Sequence, residues 1–150
     1  MITSNEKTIS LLTHLSTLSQ YFFPFGNFIL PLIIWSSARK DSSFIDANGK
    51  QAINFQLSVF LYTICLALIA IPILLFSVFH NVPFSQIADG DEWGHHLSMG
   101  NITGIAVVAL IAALVFVLLK IAEFFLVIYA SVKAANGEVY QYPLTIRFIK

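Results

Sequence analysis

Two long runs without any charged residue constrain this sequence more than any other feature. Residues 52–79 contain no charged side chain, and neither do residues 102–119, after which an apolar sequence continues to residue 132. A helix needs about 20 apolar residues to cross a hydrocarbon core of about 30 Å. Both runs therefore predict transmembrane helices, the first of them bent at Pro72.

The overall composition agrees with a membrane protein. Of the 150 residues, 57% are hydrophobic and 11% are charged, whereas a soluble domain usually carries about 25% charged residues. The formal net charge is zero, which argues against nucleic acid as a partner. The single cysteine, Cys65, excludes an internal disulfide framework and fits a small packing residue.

The first apolar segment, residues 9–38, is interrupted at its centre by Phe23-Pro24-Phe25-Gly26. Its first half is rich in serine and threonine, and its second half is more apolar and ends near Trp35, a typical interfacial residue. We expect one kinked spanning helix. The alternative is an interfacial or re-entrant first half followed by a short spanning half. No basic region precedes the segment and no cleavage site follows it, so we do not expect a signal peptide.

These segments predict an all-α fold, a polytopic transmembrane helical bundle in a single integral membrane domain over residues 1–150. The three membrane segments are residues 9–38, 52–79 and 102–132. The sequence Asp46-Ala47-Asn48-Gly49 predicts a turn and helix cap before the second segment. Asn136-Gly137 predicts the end of the third helix. Residues 138–150 alternate as an extended amphipathic tail, and its apolar side consists of Tyr140, Tyr142, Leu144, Ile146 and Phe148.

The loops predict an orientation, because cytoplasmic loops carry an excess of lysine and arginine. Residues 80–101 contain no lysine or arginine, which places that loop outside. We predict that loop 39–50 and the C-terminus are cytoplasmic. Three crossings then place the N-terminus outside, whereas the re-entrant alternative places it inside. The basic residues behind this prediction are Arg39, Lys40, Lys50, Lys133, Arg147 and Lys150.

Ionisable residues within membrane segments often mark function. Lys120 and Glu123 share one helix face and are able to pair. They form either an interfacial structural pair, with the lysine reaching towards the headgroups, or a site facing a polar cavity. The other candidates for an intramembrane polar cluster with this pair are Gln51, Asn54, Ser58 and His14. Of these, Asn54 and Ser58 are predicted to lie at a similar depth to the pair. Interhelical hydrogen bonding alone also explains such residues.

Other polar residues give weaker signals. His14 fits a hydrogen-bonded packing residue better than a proton relay. The outer loop fits a solvated acidic segment better than a metal site, because its residues lack any known ligand spacing. That loop contains His80, Asp89, Asp91, Glu92, His95 and His96. No nucleophile elbow, phosphate loop, zinc motif or dinucleotide fingerprint is present. We therefore expect no cofactor, no metal and no enzyme activity.

Several short motifs in combination resemble a known family. They are Leu12-Thr13-His14, Pro24-Phe25-Gly26-Asn27, Pro31, Trp35, Asn48-Gly49-Lys50-Gln51-Ala52-Ile53-Asn54-Phe55-Gln56, Ala134-Ala135-Asn136-Gly137-Glu138, Tyr142-Pro143 and Ile146. Together they resemble the prokaryotic membrane family called domain of unknown function 4870. That family is similar to the Tic-twenty-like proteins, whose chloroplast members belong to a protein-import translocon. The resemblance implies a helical membrane protein and supplies no catalytic or ligand residues. The import component is described with four membrane helices, which differs from the three segments predicted here.

Two functions follow as expectations. The first is a structural or interaction component of a complex in the bacterial cytoplasmic membrane, whose partners are the lipid bilayer and either a second copy or another membrane protein. The second is small-solute or ion transport by an oligomer, since three helices alone enclose little space. A lipid-modifying enzyme is a weak third, because no acid–base or nucleophile constellation is visible.

Overall fold

The computed structural model of the chain describes the backbone of residues 2–81 and 99–150, and the side chains of residues 2–76, 104 and 106–150. Within these residues the regular structure is entirely helical, so the predicted all-α class is confirmed. The α-helices in the described residues are α1 (Ser4–Ser16), α2 (Gly26–Ala38), α3 (Ser43–Asn81) and α4 (Met99–Ala135). A short 3₁₀ helix, Thr17–Tyr21, follows α1 directly.

The start of α1 is fixed by a capping box. The backbone N–H of Glu6 donates to the Thr3 hydroxyl at 3.3 Å, and the Thr3 N–H donates to the Glu6 carboxylate at 2.6 Å. These two bonds satisfy donors that a helix N-terminus leaves unpaired, and the carboxylate also complements the helix dipole.

The first apolar segment folds as two helices rather than as one kinked helix. The chain breaks where the sequence predicts it, since Phe25 adopts a left-handed conformation with φ 60° immediately before α2. The 3₁₀ helix then approaches α2 so closely that a Cβ on Gly26 would lie 2.7 Å from the Ser19 backbone. Beyond this break α2 packs beside α1. Residues 4–38 are therefore an antiparallel pair, called the α1–α2 hairpin below.

The predicted turn at Asp46-Ala47-Asn48-Gly49 is wrong, because α3 already begins at Ser43. The polar residues serve the helix instead. Asp46 pairs with Lys50 one turn later at 2.6 Å, and the Asn48 amide donates to the Phe44 carbonyl at 3.0 Å. Gly49 is tolerated because the Trp35 indole of α2 occupies the space that any side chain would fill. Loop 39–50 is thus reduced to a short connection.

Two helices are long and apolar enough to cross a membrane by length and composition. These candidate spans are Ser43–Phe76 and Ala106–Ala135, which begin or end several residues away from the predicted limits. Only 6% and 11% of their most apolar windows are buried within the protein. The predicted three-span bundle is not confirmed, because α2 has only 13 residues and is too short to cross alone.

The predicted stop after α4 is confirmed. Gly137 has φ 88°, a left-handed conformation that costs glycine little. The N–H of Glu138 donates to the Lys133 carbonyl at 3.0 Å, and that of Gly137 donates to the Ala134 carbonyl at 3.0 Å. This pair of bonds is the Schellman motif, which closes the last carbonyls of the helix.

The chain divides into two compact units. The first comprises Met1–Leu61 and Lys120–Lys150, and the second comprises Tyr62–Leu119. The hydrophobic core of the first unit consists of Phe55, Val59, Val127, Ala130 and Tyr142. Because Phe55 and Val59 belong to α3 and Val127 and Ala130 to α4, this core joins the two long helices to the tail.

The tail is irregular and does not keep one apolar side. Tyr142 is buried and stacks on Phe55, with ring centroids 4.0 Å apart and planes 8° from parallel. The chain then turns at Pro143, and Leu144 takes a left-handed φ of 57° and is 84% exposed. The turn interrupts the period-two pattern, so the predicted alternation ends at Tyr142.

Candidate functional site

The interior of the first unit holds a closed ring of polar groups. The Lys120 ammonium of α4 donates to the Glu123 carboxylate at 2.9 Å and to the Gln20 carbonyl oxygen at 3.1 Å. The Gln20 amide nitrogen, from the 3₁₀ helix, donates to the other Glu123 oxygen at 2.7 Å. Both oxygens of the carboxylate and two donors of the ammonium are thereby engaged.

This ring explains how two charged residues are tolerated in an apolar helix. The Glu123 side chain is fully buried, whereas that of Lys120 keeps 28% exposure. An isolated buried carboxylate would be very costly, but an adjacent ammonium and an amide donor compensate much of that cost. The pair is net neutral, and Gln20 fixes its orientation from a different segment of the chain.

A second group of polar residues centres on His14 of α1, which is completely buried. Its Nε2 lies 3.0 Å from the Asn48 side-chain oxygen, and its Nδ1 lies 2.9 Å from the Tyr142 hydroxyl. Because the Asn48 nitrogen already donates to Phe44, its oxygen must accept from Nε2–H. In the neutral ring Nδ1 then accepts from the Tyr142 hydroxyl.

Burial controls the titration of this second group. Desolvation lowers the pKa of His14 from 6.5 to about 4, although its hydrogen bond to Asn48 acts in the opposite direction. Burial also raises the pKa of the Tyr142 phenol well above its usual range. At neutral pH both groups are therefore uncharged, and they link α1 to α3 and to the tail.

A third group holds the C-terminal residues against α3. The Asn54 side-chain oxygen accepts from the N–H groups of Ile149 at 2.8 Å and Phe148 at 3.1 Å. The Asn54 nitrogen donates to the Ile149 carbonyl at 2.9 Å. The Ser58 hydroxyl accepts from the Ile146 N–H at 2.8 Å and donates to the Asn54 carbonyl at 2.7 Å. Two polar residues of α3 thus replace a strand partner for the tail.

Helix α2 contacts α3 at both of its ends. Near its start the Asn27 amide donates to the Gln56 side-chain oxygen at 2.8 Å. Near its end the Trp35 indole N–H donates to the Asp46 carboxylate at 3.0 Å. The guanidinium of Arg39 lies 4.9 Å from the centroid of the Trp35 ring, within the range of a cation–π contact. These contacts fix α2 along the first part of α3.

The structure separates the residues that the sequence suggested as one cluster. Lys120 and Glu123 pair as predicted, but their third partner is Gln20. Asn54 and Ser58 bind the tail, and His14 binds Asn48 and Tyr142. Gln51 is half-buried in α3. Each group therefore connects different elements, rather than forming a single polar site at one depth.

The residues that the sequence reasoning missed are Gln20, Asn27, Asn48, Gln56 and Tyr142. One signal was available for Gln20. Ser10, Thr13, His14 and Thr17 recur at helical spacing just before it, and polar residues in an apolar segment normally face the protein interior. The tail contact of Tyr142 had no such signal, because it joins residues 128 positions apart.

The predictions for the acidic outer loop, including its weak metal hypothesis, fall on residues outside those whose side chains the structure describes. In the described part of the chain no group of three or more potential metal ligands occurs. The chemistry available in the polar groups above is hydrogen bonding and charge compensation between helices, which is typical of polar residues in membrane bundles.

Comparison with known proteins corrects the family resemblance drawn from the motifs. No curated protein and no solved structure matches the chain. Residues 5–149 match the family described as the magnetosome magnetite crystal formation protein family, MamF/MmsF. The assignment to domain of unknown function 4870 and the Tic-twenty-like proteins was therefore wrong, because a different family accounts for nearly the whole sequence. The chain belongs to the magnetosome magnetite crystal formation protein family.

Proposed function

We propose that this chain is an integral protein of the magnetosome membrane that contributes to magnetite crystal formation as a structural or interaction component. The observation that carries the proposal is the family match over residues 5–149. It implies a role at the crystal-forming membrane but names no reaction. On this proposal the protein acts by assembling with other membrane components, and not by catalysis.

The distribution of apolar side chains supports the membrane part of the proposal. The candidate spans expose most of their apolar surface, including Leu68, Leu110 and Phe125, which are more than three-fifths exposed. Water would not tolerate a continuous surface of this kind on a monomer. A hydrocarbon environment does, since lipid tails are as apolar as the side chains themselves.

Deletion of the gene in its magnetite-forming host tests the proposal. We expect crystals of altered size or shape in electron micrographs, restored by the wild-type chain, and a tagged chain that fractionates with magnetosome membranes. Crosslinking through the exposed Cys65 should then capture a defined partner or a second copy. Unchanged crystals together with a tagged chain confined to the cytoplasmic membrane would contradict the proposal.

Ion or solute transport by an oligomer is the second candidate, and the charged pair Lys120–Glu123 within a candidate span favours it. Glu123→Gln and Glu138→Gln form a matched pair, because each carboxylate bonds to a lysine and only Glu138 is exposed. If the protein is a carrier, flux into reconstituted vesicles should be lost with the Glu123→Gln variant and kept with the Glu138→Gln variant.

On the structural proposal, neither variant changes flux relative to empty vesicles. Glu123→Gln instead lowers the free energy of unfolding by about 2 kcal/mol, because it leaves a partly buried ammonium without its counter-charge. Glu138→Gln changes it by less than about 1 kcal/mol, as is usual for an exposed pair. Flux that depends on Glu123 would overturn the structural proposal.

A further inference from the structure

The α1–α2 hairpin buries polar residues of α1 and exposes apolar residues around its tip. Along α1 and the 3₁₀ helix the buried residues are Ser10, Thr13, His14, Thr17 and Ser19. Around the tip the exposed side chains are apolar: Leu12 is 47% exposed on α1, Phe22 is 88% exposed at the break, and Ile33 is 57% exposed on α2. The exposed polar side chains of the hairpin lie at its base, in the first turns of α1 and at the end of α2; they include Asn5, Thr8, Ser36 and Ser37. A hairpin on a water-soluble surface shows the opposite distribution.

The contacts of the hairpin place its tip well along the two candidate spans. Gln20, just before the tip, bonds to Glu123 of α4, and Asn27, just after it, bonds to Gln56 of α3. At about 1.5 Å per residue, Gln56 lies about 20 Å from the start of α3 and Glu123 about 18 Å from the end of α4. The hydrocarbon core is about 30 Å thick.

Distances counted from Lys50 in α3 and from Lys133 in α4, the charged residues that precede the apolar parts from these helix ends, give a stricter measure of the depth of the tip. Gln56 lies about 9 Å beyond Lys50 along α3, and Glu123 about 15 Å beyond Lys133 along α4. The tip extends further than these contact points, and it consists of Tyr21, Phe22, Phe23, Pro24 and Phe25, with no charge. The tip therefore reaches about the depth of the bilayer midplane if α3 and α4 cross.

The two ends of the hairpin lie beside the ends of the long helices. At the start of α1, the Glu6 carboxylate lies near the Ser42 side chain of the α2–α3 connection, which helps to lower the pKa of that carboxyl to about 2. The neighbouring Lys7 lies against Gly137, just after α4, with its Cε 3.0 Å from where a Cβ would stand. The start of α1, the α2–α3 connection and the end of α4 are thus one end of the first unit.

Positively charged residues are concentrated at this same end of the first unit. Two basic residues lie away from this end. They are Lys120, whose charge is compensated by Glu123, and Arg147 in the tail, between residues that bond to Ser58 and Asn54 of α3. The others lie at the start of α1, in the α2–α3 connection, in the first turns of α3, at the end of α4 or at the C-terminus. They are Lys7, Arg39, Lys40, Lys50, Lys133 and Lys150. Such an excess of positive charge is typical of the cytoplasmic side.

We infer that the α1–α2 hairpin is a re-entrant membrane element, which enters and leaves the bilayer on one side and inserts its aromatic tip among lipid acyl chains. The inference rests on the proposed crossing of the membrane by α3 and α4. It places the N-terminus, the α2–α3 connection and the C-terminus in one compartment. It therefore differs from the three-crossing prediction, which placed the two termini on opposite sides.

Lipid acyl chains fit this surface better than a second copy of the chain. The exposed apolar side chains lie on α1, on the tip and on α2, and others lie on the outward face of α4, such as Ile121 and Phe125. A single interface between two copies would cover only one of these faces, whereas lipid acyl chains surround the protein and cover all of them.

Single-cysteine variants in a Cys65→Ser background test the topology. Ser4→Cys reports the start of α1, Lys40→Cys the α2–α3 connection, and Ser85→Cys the segment between α3 and α4. We expect a membrane-impermeant maleimide to label Ser4→Cys and Lys40→Cys from the same side of sealed vesicles. Ser85→Cys should be labelled only from the opposite side.

The labelling pattern distinguishes failure of the re-entrant hairpin from failure of the two membrane crossings by α3 and α4. Labelling of Ser4→Cys from the side of Ser85→Cys would overturn the re-entrant hairpin while leaving the two crossings intact. Labelling of Lys40→Cys and Ser85→Cys from one side would remove the crossings themselves, and with them the membrane topology in the proposed function.

A spin label at Phe22→Cys tests the depth of the tip, with Lys40→Cys in the α2–α3 connection as the control. Both residues are exposed on the protein surface, so the two labels differ chiefly in their surroundings. We expect the tip label to be relaxed by oxygen more than by a water-soluble nickel complex, and the label at residue 40 to show the reverse. Water-like accessibility at the tip, or spin–spin broadening that reveals a second copy there, would overturn the inference.

Discussion

Glu123 and His14 are tolerated in apolar surroundings because each is matched to specific partners. Glu123 is bonded through one oxygen to Lys120 and through the other to Gln20, and His14 uses both ring nitrogens. An unpaired buried donor or acceptor costs about 1–3 kcal/mol, so such matching decides whether a buried polar residue can be retained. The partners come from distant parts of the chain, which makes each residue a link between elements.

At this scale, acidification should destabilise the protein through His14. Its pKa is about 4 in the folded chain and 6.5 in the unfolded one, so between these values the unfolded state binds the extra proton. The neutral ring's contribution to stability is present above pH 6.5 and is lost as the pH falls towards 4, by up to about 3 kcal/mol.

Thermal unfolding of detergent-solubilised protein at pH 7.5 and 4.5 measures this effect. His14→Gln is the control, because the variant cannot take up the proton and should lose less stability across the same interval. An identical pH dependence in both proteins would contradict the role assigned to His14.

Some elements of this protein are fixed by contacts within a few residues, whereas others depend on contacts with distant parts of the chain. The capping box and the Schellman motif are local, and they fix the start of α1 and the end of α4. The tail, in contrast, has no regular structure and depends on α3. Three hydrogen bonds join it to Asn54 and one joins it to Ser58, and Tyr142 packs on Phe55.

Replacing Asn54 by alanine should therefore release the end of the tail without unfolding the helices. We expect faster hydrogen exchange at the Phe148 and Ile149 amides and faster trypsin cleavage after Arg147, with a stability loss of about 1–2 kcal/mol.

Gln51→Ala is the control for this change, since Gln51 lies nearly one turn earlier in α3 and is half-buried. It should leave the exchange rates and the cleavage of the tail unchanged. Equal protection of Phe148 and Ile149 in Asn54→Ala and wild-type protein would show that the tail is held by other contacts.

At the scale of the whole molecule, the first unit encloses polar side chains and presents apolar ones. Its largest completely buried side chains include His14, Gln56, Glu123 and Asn48, whereas its surface carries phenylalanine, leucine and isoleucine. This distribution is consistent with a hydrocarbon surrounding, where the hydrophobic effect no longer drives apolar residues inward and polar contacts hold helices together. Membership of a magnetosome family gives this membrane location its proposed biological setting.

The sequence by itself determined the helical class, the two long apolar helices, the break near Phe25 and the stop at Gly137. These features depend on local properties, namely hydropathy, the restricted conformation of proline and the freedom of glycine. Short motifs were insufficient for the family, and the resemblance built on them was wrong. The turn expected at Asp46 to Gly49 also failed, because Trp35 and Lys50 supply partners that make a helix possible there.

Only the tertiary structure decided how the polar residues combine and how the first segment folds. A stripe of serine, threonine and histidine shows that one face of α1 is polar, but it does not identify Asn48 and Tyr142 as the partners of His14. Likewise, a break in the sequence does not distinguish a kink from a reversal. Those outcomes depend on contacts between residues far apart in the chain, whose geometry is set when α1 packs beside α2 and both pack against the long helices.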